Sequence, residues 1–382
     1  CAFYCVILWA ISLITMTKPA TALMSVLLTA LCCLLSCSGA QQTVETASVV
    51  DSLPPEPQEI TLLFAGDAMQ HQRQLDAART KDGTYDYSGC FAAVRAIVDS
   101  ADYAVVNLET TLSHGGFSGY PMFCSPVSFA ESLRQAGFDF FLTANNHCLD
   151  RRDKGVMRTI ALLDSMGIPH TGTFRNKADR DTLAPKIVDV KGFKIAILNY
   201  TYDTNGIAIQ GDVAVDLINR DKMAADVVAA RKKGAEIVCV CMHWGDEYKL
   251  LPNAAQKSLA DFLLAQGVDL LIGGHPHVIQ PAEMRTDSVS GRNALVVYSL
   301  GNFISGMRTT DTRGGIMVRT TLRRDSLGRV QVATADYVPV FTIPGEFRLA
   351  IADSVQTPQA KAWRRNAYAI FDRHNKNVPR AK

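Results

Sequence analysis

The chain has 382 residues, 48% apolar and 20% charged, enough for one large core or two modest ones, and this excludes wholesale disorder. Lys and Arg number 39 against 37 Asp and Glu, a net charge of only +2. That balance, with no Lys/Arg tract, argues against DNA, RNA or a polybasic membrane contact.

The first 37 residues carry one charge, Lys18, and two apolar runs, 6–15 and 22–35. Each is shorter than the roughly 20 residues of a spanning helix, and Lys18 and Pro19 separate them. Residue 1 is Cys; Met16 opens a segment laid out like an export signal, Met16-Thr17-Lys18, an apolar stretch, then Leu34-Leu35-Ser36-Cys37. That tetrad resembles the lipobox of bacterial lipoproteins. The resemblance implies lipidation at Cys37 and a chain anchored to a bacterial membrane in the cell envelope. Cleavage after Ser38-Gly39-Ala40 is the alternative, and it also exports the chain. Residues 38–58 read as a polar tether. Beyond Cys37 lie Cys90, Cys124, Cys148, Cys239 and Cys241, an odd number that cannot pair completely. An oxidising compartment permits a Cys90–Cys124 disulfide. Cys239 and Cys241 alternate within an apolar run and read as small buried hydrophobes.

One pattern then recurs. A short apolar run of strand length ends in a polar cluster, and a helix-like segment follows. The strand runs are 60–65, 103–106, 138–144, 194–198, 236–242, 268–272 and 295–300. Helical stretches are expected at 91–100, 130–136, 155–166, 223–233 and 254–266, with Gly137, Gly167, Gly234 and Gly267 where helices stop. Continuous apolar strands alternating with helices predict an α/β fold, its sheets covered by helices. A closing hairpin is expected from 318–322 and 330–340, turning near Leu327-Gly328. The last residues, 346–382, form a C-terminal helical tail to a main domain at 59–345.

The polar clusters fall at strand ends. Asp67, Asn107 with Glu109, Asn145-Asn146-His147, His243, His275 with His277, and Asn302 each follow an apolar run. Loops at the carboxyl ends of strands share one sheet edge, where α/β proteins place their sites. Counting His71, five of the eight histidines lie near such an end. Imidazole, carboxylate and amide oxygen together suit zinc, manganese or iron. A bridging carboxylate can hold one ion beside another, and a further His can protonate a leaving group.

Six motifs carry a resemblance: Gly66-Asp67, Asn107-Leu108-Glu109-Thr110, Asn145-Asn146-His147-Cys148-Leu149-Asp150, His243-Trp244-Gly245-Asp246-Glu247-Tyr248, Gly274-His275-Pro276-His277 and Tyr298-Ser299-Leu300-Gly301-Asn302-Phe303. In this order they resemble the CapA family, named for poly-gamma-glutamate capsule synthesis. The likeness runs over roughly residues 59–341. That family is similar to calcineurin-like metallophosphoesterases, so the resemblance implies a four-layer αββα sandwich. It also implies one or two divalent ions held by Asp67, Glu109, Asn146, His243, His275 and His277. Glu109 stands where a bridging aspartate is usual, and His147 becomes the general acid. Asn107 and Asn145 would orient ligands, Asn302 would organise the loop, and Glu247 would bind substrate or face solvent. The usual Asp-x-His of the first motif is broken here by Met69, for which His71 is a candidate substitute.

The function so implied is an exported metal-dependent hydrolase acting on a phosphate ester or on an anionic envelope polymer such as poly-gamma-glutamate. Two other readings stay open. One is an accessory protein that binds or exports such a polymer without turnover. The other is a fold with no metal, which Met69 favours.

Overall fold

The computed structural model describes residues 58–288 and 290–381. The expected export signal, Cys37 and the tether as far as residue 57 lie outside the described residues. The chain runs β1 (Gln58–Ala68), α1 (Gln72–Ala78), α2 (Arg95–Val98), β2 (Tyr103–Leu108), β3 (Thr111–Ser113), β4 (Cys124–Pro126), α3 (Val127–Gln135) and β5 (Phe140–Leu142). There follow α4 (Arg152–Ser165), β6 (His170–Thr171), β7 (Thr173–Phe174), α5 (Lys177–Leu183), β8 (Lys186–Val190), β9 (Phe193–Thr201), β10 (Ala214–Val215) and α6 (Arg220–Lys232). Then come β11 (Ile237–His243), α7 (Ala254–Ala265), β12 (Leu270–Gly274), β13 (Ile279–Thr286), β14 (Asn293–Leu300) and β15 (Asn302–Ile304). The chain closes with β16 (Gly314–Arg324), β17 (Val330–Thr342), β18 (Leu349–Ile351) and α8 (Pro358–His374).

Two sheets result. One has the order β18-β17-β16-β1-β2-β5-β6, with β15 joining β1, and the other the order β13-β14-β12-β11-β9-β8. The β1-β2-β5-β6 pairs are parallel, as are β9-β11-β12-β14. Alternation along each strand sorts side chains to opposite faces. Ile60, Leu62 and Phe64 of β1 enter a core shared with Ile195, Ile197, Ile237, Leu270, Ile272, Leu295 and Val297 of the second sheet. Their neighbours Leu63 and Ala65 face outward, onto a core with Phe91, Val98, Phe129 and Leu133 from the covering helical layer. On the other side Val238, Val240, Met242 and Leu271 pack on Met223 and Val227 of α6 and on Leu259 and Leu263 of α7. Helix, sheet, sheet and helix are thus stacked in that order, a four-layer αββα sandwich.

The seven expected strands lie in β1, β2, β5, β9, β11, β12 and β14. Gly137, Gly167, Gly234 and Gly267 take φ values of 104°, 63°, 85° and 94° just past helices, a conformation that favours glycine. The helix expected at 91–100 shortens to α2. The Cys90 carbonyl is taken by the Leu349 N–H at 2.8 Å, and Val94 bonds back to Phe91 in a tight turn. The hairpin is longer than expected, β16 with β17, and Gly328 at φ 78° lies in its turn. Cys90, Cys124, Cys148, Cys239 and Cys241 are free thiols, and Cys239 and Cys241 point into the core between the sheets. Helix α8 seats Ala360, Trp363, Ala367 and Phe371 in that same core. Among the described residues no helix is long and apolar enough to cross a membrane.

Candidate metal centre

The parallel strands of both sheets end at one edge, and their last residues meet there. At the end of β1 the partner changes: β16 pairs through Ala65, then β15 takes over at Asp67. A Cβ on Gly66 would stand 2.0 Å from the Gly301 carbonyl oxygen, so only glycine fits this crossing. The crossing aims Asp67 into the gap between the sheets. Asn107 is the last residue but one of β2, Glu109 follows that strand, and Asn145, Asn146 and His147 follow β5. His243 is the last residue of β11. After β12 the chain turns through His275 and His277, both left-handed at φ 96° and 57°. Backbone strain in non-glycine residues is a mark of functional sites.

Asp67 is fixed from two sides. Its Oδ1 accepts from Asn107 Nδ2 at 2.8 Å and its Oδ2 from the His275 N–H at 3.1 Å. His277 Nδ1 lies 3.5 Å from Asp67 Oδ2 and 3.0 Å from Asn302 Oδ1. Glu109 Oε1 lies 3.5 Å from His243 Nε2 and 3.9 Å from His277 Nε2, so this carboxylate stands between the two imidazoles. His243 Nε2 is also 2.8 Å from Asn146 Oδ1, whose Nδ2 donates to Asn205 Oδ1 at 3.0 Å. The ligand atoms of Asp67, Glu109 and His243 lie within 4.8 Å of one another, and so do those of Glu247, His275 and His277. The structure therefore brings all six expected ligands to one edge and adds Glu247 on the exposed side.

Burial alone would raise the Asp67 carboxyl. Its bond to His277 and the charges of His243 and His277 more than reverse that, holding it at about 2. Glu109 goes the other way: burial and the neighbouring Asp67 push it up to about 8. Burial depresses His243 to about 3 and His275 to about 2. Burial also opposes charge on His277, but Glu109 and Asp67 lift it to about 9. Both Glu109 oxygens and His275 Nδ1 are buried with no hydrogen-bond partner. A buried carboxylate without donors is costly. Orphaned carboxyl oxygens beside imidazole nitrogens fit a divalent cation, which would satisfy them together.

His147 stands beside this cluster, its Nδ1 2.8 Å from Asp150 Oδ2. That oxygen also accepts the Phe123 N–H at 2.6 Å. Helix α4 takes Arg151 as its N-cap, so the Asn-Asn-His turn does not cap it. Instead Asn145 Nδ2 bonds to Asn107 Oδ1 at 3.2 Å and to the Leu108 carbonyl at 2.9 Å, pinning the turn to the end of β2. Asp150 and Asn205 were not singled out by sequence reasoning. A signal for Asp150 was present, since a carboxylate three residues after a histidine can meet it across a single turn. Asn205 had none, for it reaches His147 across 58 residues. His71 caps α1 and belongs to neither donor group; its Nδ1 accepts the Gly306 N–H at 3.2 Å. Ser299 bonds the Val278 carbonyl at 2.8 Å and serves the loop, as Asn302 does through the Thr312 carbonyl at 2.8 Å.

An αββα sandwich with a histidine–carboxylate cluster at its carboxyl edge is the class defined so far. The chain belongs to the family described as Bacterial capsule synthesis protein PGA_cap, whose sequence profile matches residues 61–307. It is similar to the capsule biosynthesis protein CapA of Bacillus anthracis, 27% identical over 75% of this chain and 68% of that protein. It is equally similar to the PGA biosynthesis protein CapA of Bacillus subtilis, 27% identical over 72% and 70%. Among solved structures it resembles the NAD nucleotidase of Haemophilus influenzae at 14% identity and a TM-score of 0.46, covering 82% of this chain and 63% of that one.

Proposed function

We propose that this chain is an exported, lipid-anchored, metal-dependent hydrolase that cleaves an anionic ester or an amide during the making of a poly-gamma-glutamate type capsule polymer. The observation that carries the reading is Glu109, a fully buried carboxylate with both oxygens unpartnered between His243 and His277. The names of the Bacillus relatives support the polymer context. Cys37 in its lipobox-like tetrad supports the anchor.

Asp67, Glu109, Asn146, His243, His275 and His277 would hold the cations, with Glu247 at the open side. When bound, divalent ions supply Lewis-acid polarisation of a phosphoryl or acyl oxygen. The chain's own groups do the rest. Asn107 and the His275 N–H keep Asp67 in one orientation. Asn205 Oδ1 takes a hydrogen from the Asn146 amide, which leaves the amide oxygen turned to the cluster. Asp150 pairs with His147 Nδ1 and fixes the ring, so that Nε2 is left to pass a proton to the departing oxygen or nitrogen.

Metal content per chain, measured on the full chain in detergent, is the first test. Wild type is expected to bind divalent metal, and the double variant His275→Ala, His277→Ala to lose it. His147→Ala should keep the metal yet lose about 10²- to 10⁴-fold in turnover of phosphate esters or glutamyl polymers. A wild-type chain that stays metal-free after exposure to zinc, manganese and iron would sink the hydrolase and leave a polymer-binding accessory. The anchor is read separately, by whether Cys37→Ser moves the protein out of the membrane fraction.

A further inference from the structure

Three exposed tyrosines stand around the cluster, each on a different connection. Tyr202 follows β9, its ring 4.4 Å from that of His275. Tyr248 lies beyond β11, its ring 6.3 Å from His277. Tyr120, in the β3–β4 loop, rests on Phe123 at 6.3 Å, and Phe123 meets His147 at 4.6 Å and His71 at 5.1 Å. They are 43%, 53% and 73% exposed. Single exposed aromatics need no explanation, but a group of them at the mouth of a polar site does.

Tyr248 is the most telling. It is held at φ 66°, a conformation costly for any residue but glycine. Its N–H bonds the Pro276 carbonyl at 2.8 Å, between the two histidines of the β12 turn. The turn leading to it needs Gly245 at φ 91°, where a Cβ would press on Gln256 at 2.6 Å. Strain is thus spent on presenting a ring to solvent. The Tyr248 hydroxyl pairs with Glu247 and lies in the field of Tyr120. Tyr202 lies in the fields of Glu247 and Asp203.

Resting on the hydrolase reading above, we propose that Tyr120, Tyr202 and Tyr248 form a ring-stacking subsite that grips a flat-faced ring on the leaving group of the substrate. Tyrosine faces stack on aromatic rings and on the C–H face of a pyranose alike. Cations would be held inward, at the histidine–carboxylate cluster. The anionic part of the substrate therefore turns inward to the cluster and the neutral ring outward to the tyrosines.

The test uses the metal-loaded full chain with phenyl phosphate, glucose 1-phosphate and acyclic glycerol phosphate. The ring-bearing esters should be preferred, and the better of the two tells an aryl from a sugar ring. In Tyr120→Ala, Tyr248→Ala the ratio of kcat/KM for ring over acyclic ester should fall about tenfold, mostly through KM. Tyr248→Phe should retain the ratio. A ratio unchanged by the double variant overturns the subsite. Saturation-transfer NMR with phenyl glucoside on the metal-free chain reads binding without turnover. Signal in wild type that is lost in the double variant supports the subsite, and equal signal, or none in wild type, overturns it. If no ester is turned over while the NMR difference holds, the hydrolase reading fails and the stacking site stands.

Discussion

The two ends of the sandwich bury carboxylates in opposite ways: Asp269 precedes β12 of the second sheet, and Glu109 follows β2 of the first. At the amino edge Asp269 is 4% exposed and saturated. Its Oδ2 accepts from Arg231 at 2.6 Å and the Val238 N–H at 2.8 Å, and its Oδ1 accepts from Arg292 at 2.8 Å. The arginines also donate to the Ala235, Glu236, Gly267, Val268 and Leu264 carbonyls. At the facing carboxyl edge Glu109 is fully buried and neither oxygen has a donor. Both are buried acids among strand ends. The saturated one ties strands and helices together; the unsaturated one keeps both oxygens open to a cation.

The largest effect expected from this contrast is at the amino edge. Asp269→Asn keeps the shape but removes the charge that two arginines and a strand N–H share. It should lower stability by about 3 kcal/mol, read as a urea midpoint, because a buried donor is left without its acceptor. Metal content should not change. A variant as stable as wild type would mean that saturation at this edge is decorative.

The carboxyl edge should instead announce itself through pH. In the metal-free chain Glu109 and His277 hold protons up to about 8 and about 9, against ordinary values of 4.5 and 6.5. Above pH 6.5 the folded site thus binds more protons than the unfolded chain, and stability falls as pH rises. Burial keeps His71, His243 and His275 neutral down to about 4, about 3 and about 2, although each takes a proton near 6.5 when unfolded. Below pH 6.5 these three outweigh Glu109, and stability falls as pH falls. Two net protons on either flank amount to roughly 3 kcal/mol per pH unit, with the maximum near neutrality. Urea midpoints measured in chelator across that range test it; a flat profile would show that the cluster is solvated.

Much of this edge was legible in the chain. Apolar runs of strand length end at Asp67, Asn107, His243 and Gly274, and parallel strands must share their carboxyl edge, so the ligands could be gathered without coordinates. The stacking of two sheets was not in that pattern, for strands buried on both faces look the same in one sheet or two; only the family resemblance carried it. Edge strand β8, with Lys186 and Asp189 in its five residues, lacks an apolar run. Glu247 and Asn205 reach the cluster from loops, where neither periodicity nor capping gives a position.

Glu109→Gln sharpens the contrast with the smallest change. In the chelated protein it replaces an unpartnered carboxylate by a neutral amide of the same shape. The carboxyl sits at about 8 when folded, so the folded state pays for its proton at every pH above the unfolded value of 4.5. Removing that cost should raise stability by about 2 kcal/mol at alkaline pH, after the amide's own burial is counted. The gain should shrink toward pH 5, where the unfolded carboxyl also begins to hold its proton. The same variant should bind metal more weakly than wild type, opposite in sign to its stability. Loss of stability at alkaline pH would mean that Glu109 finds donors in solution, and its likeness to Asp269 would then replace the contrast.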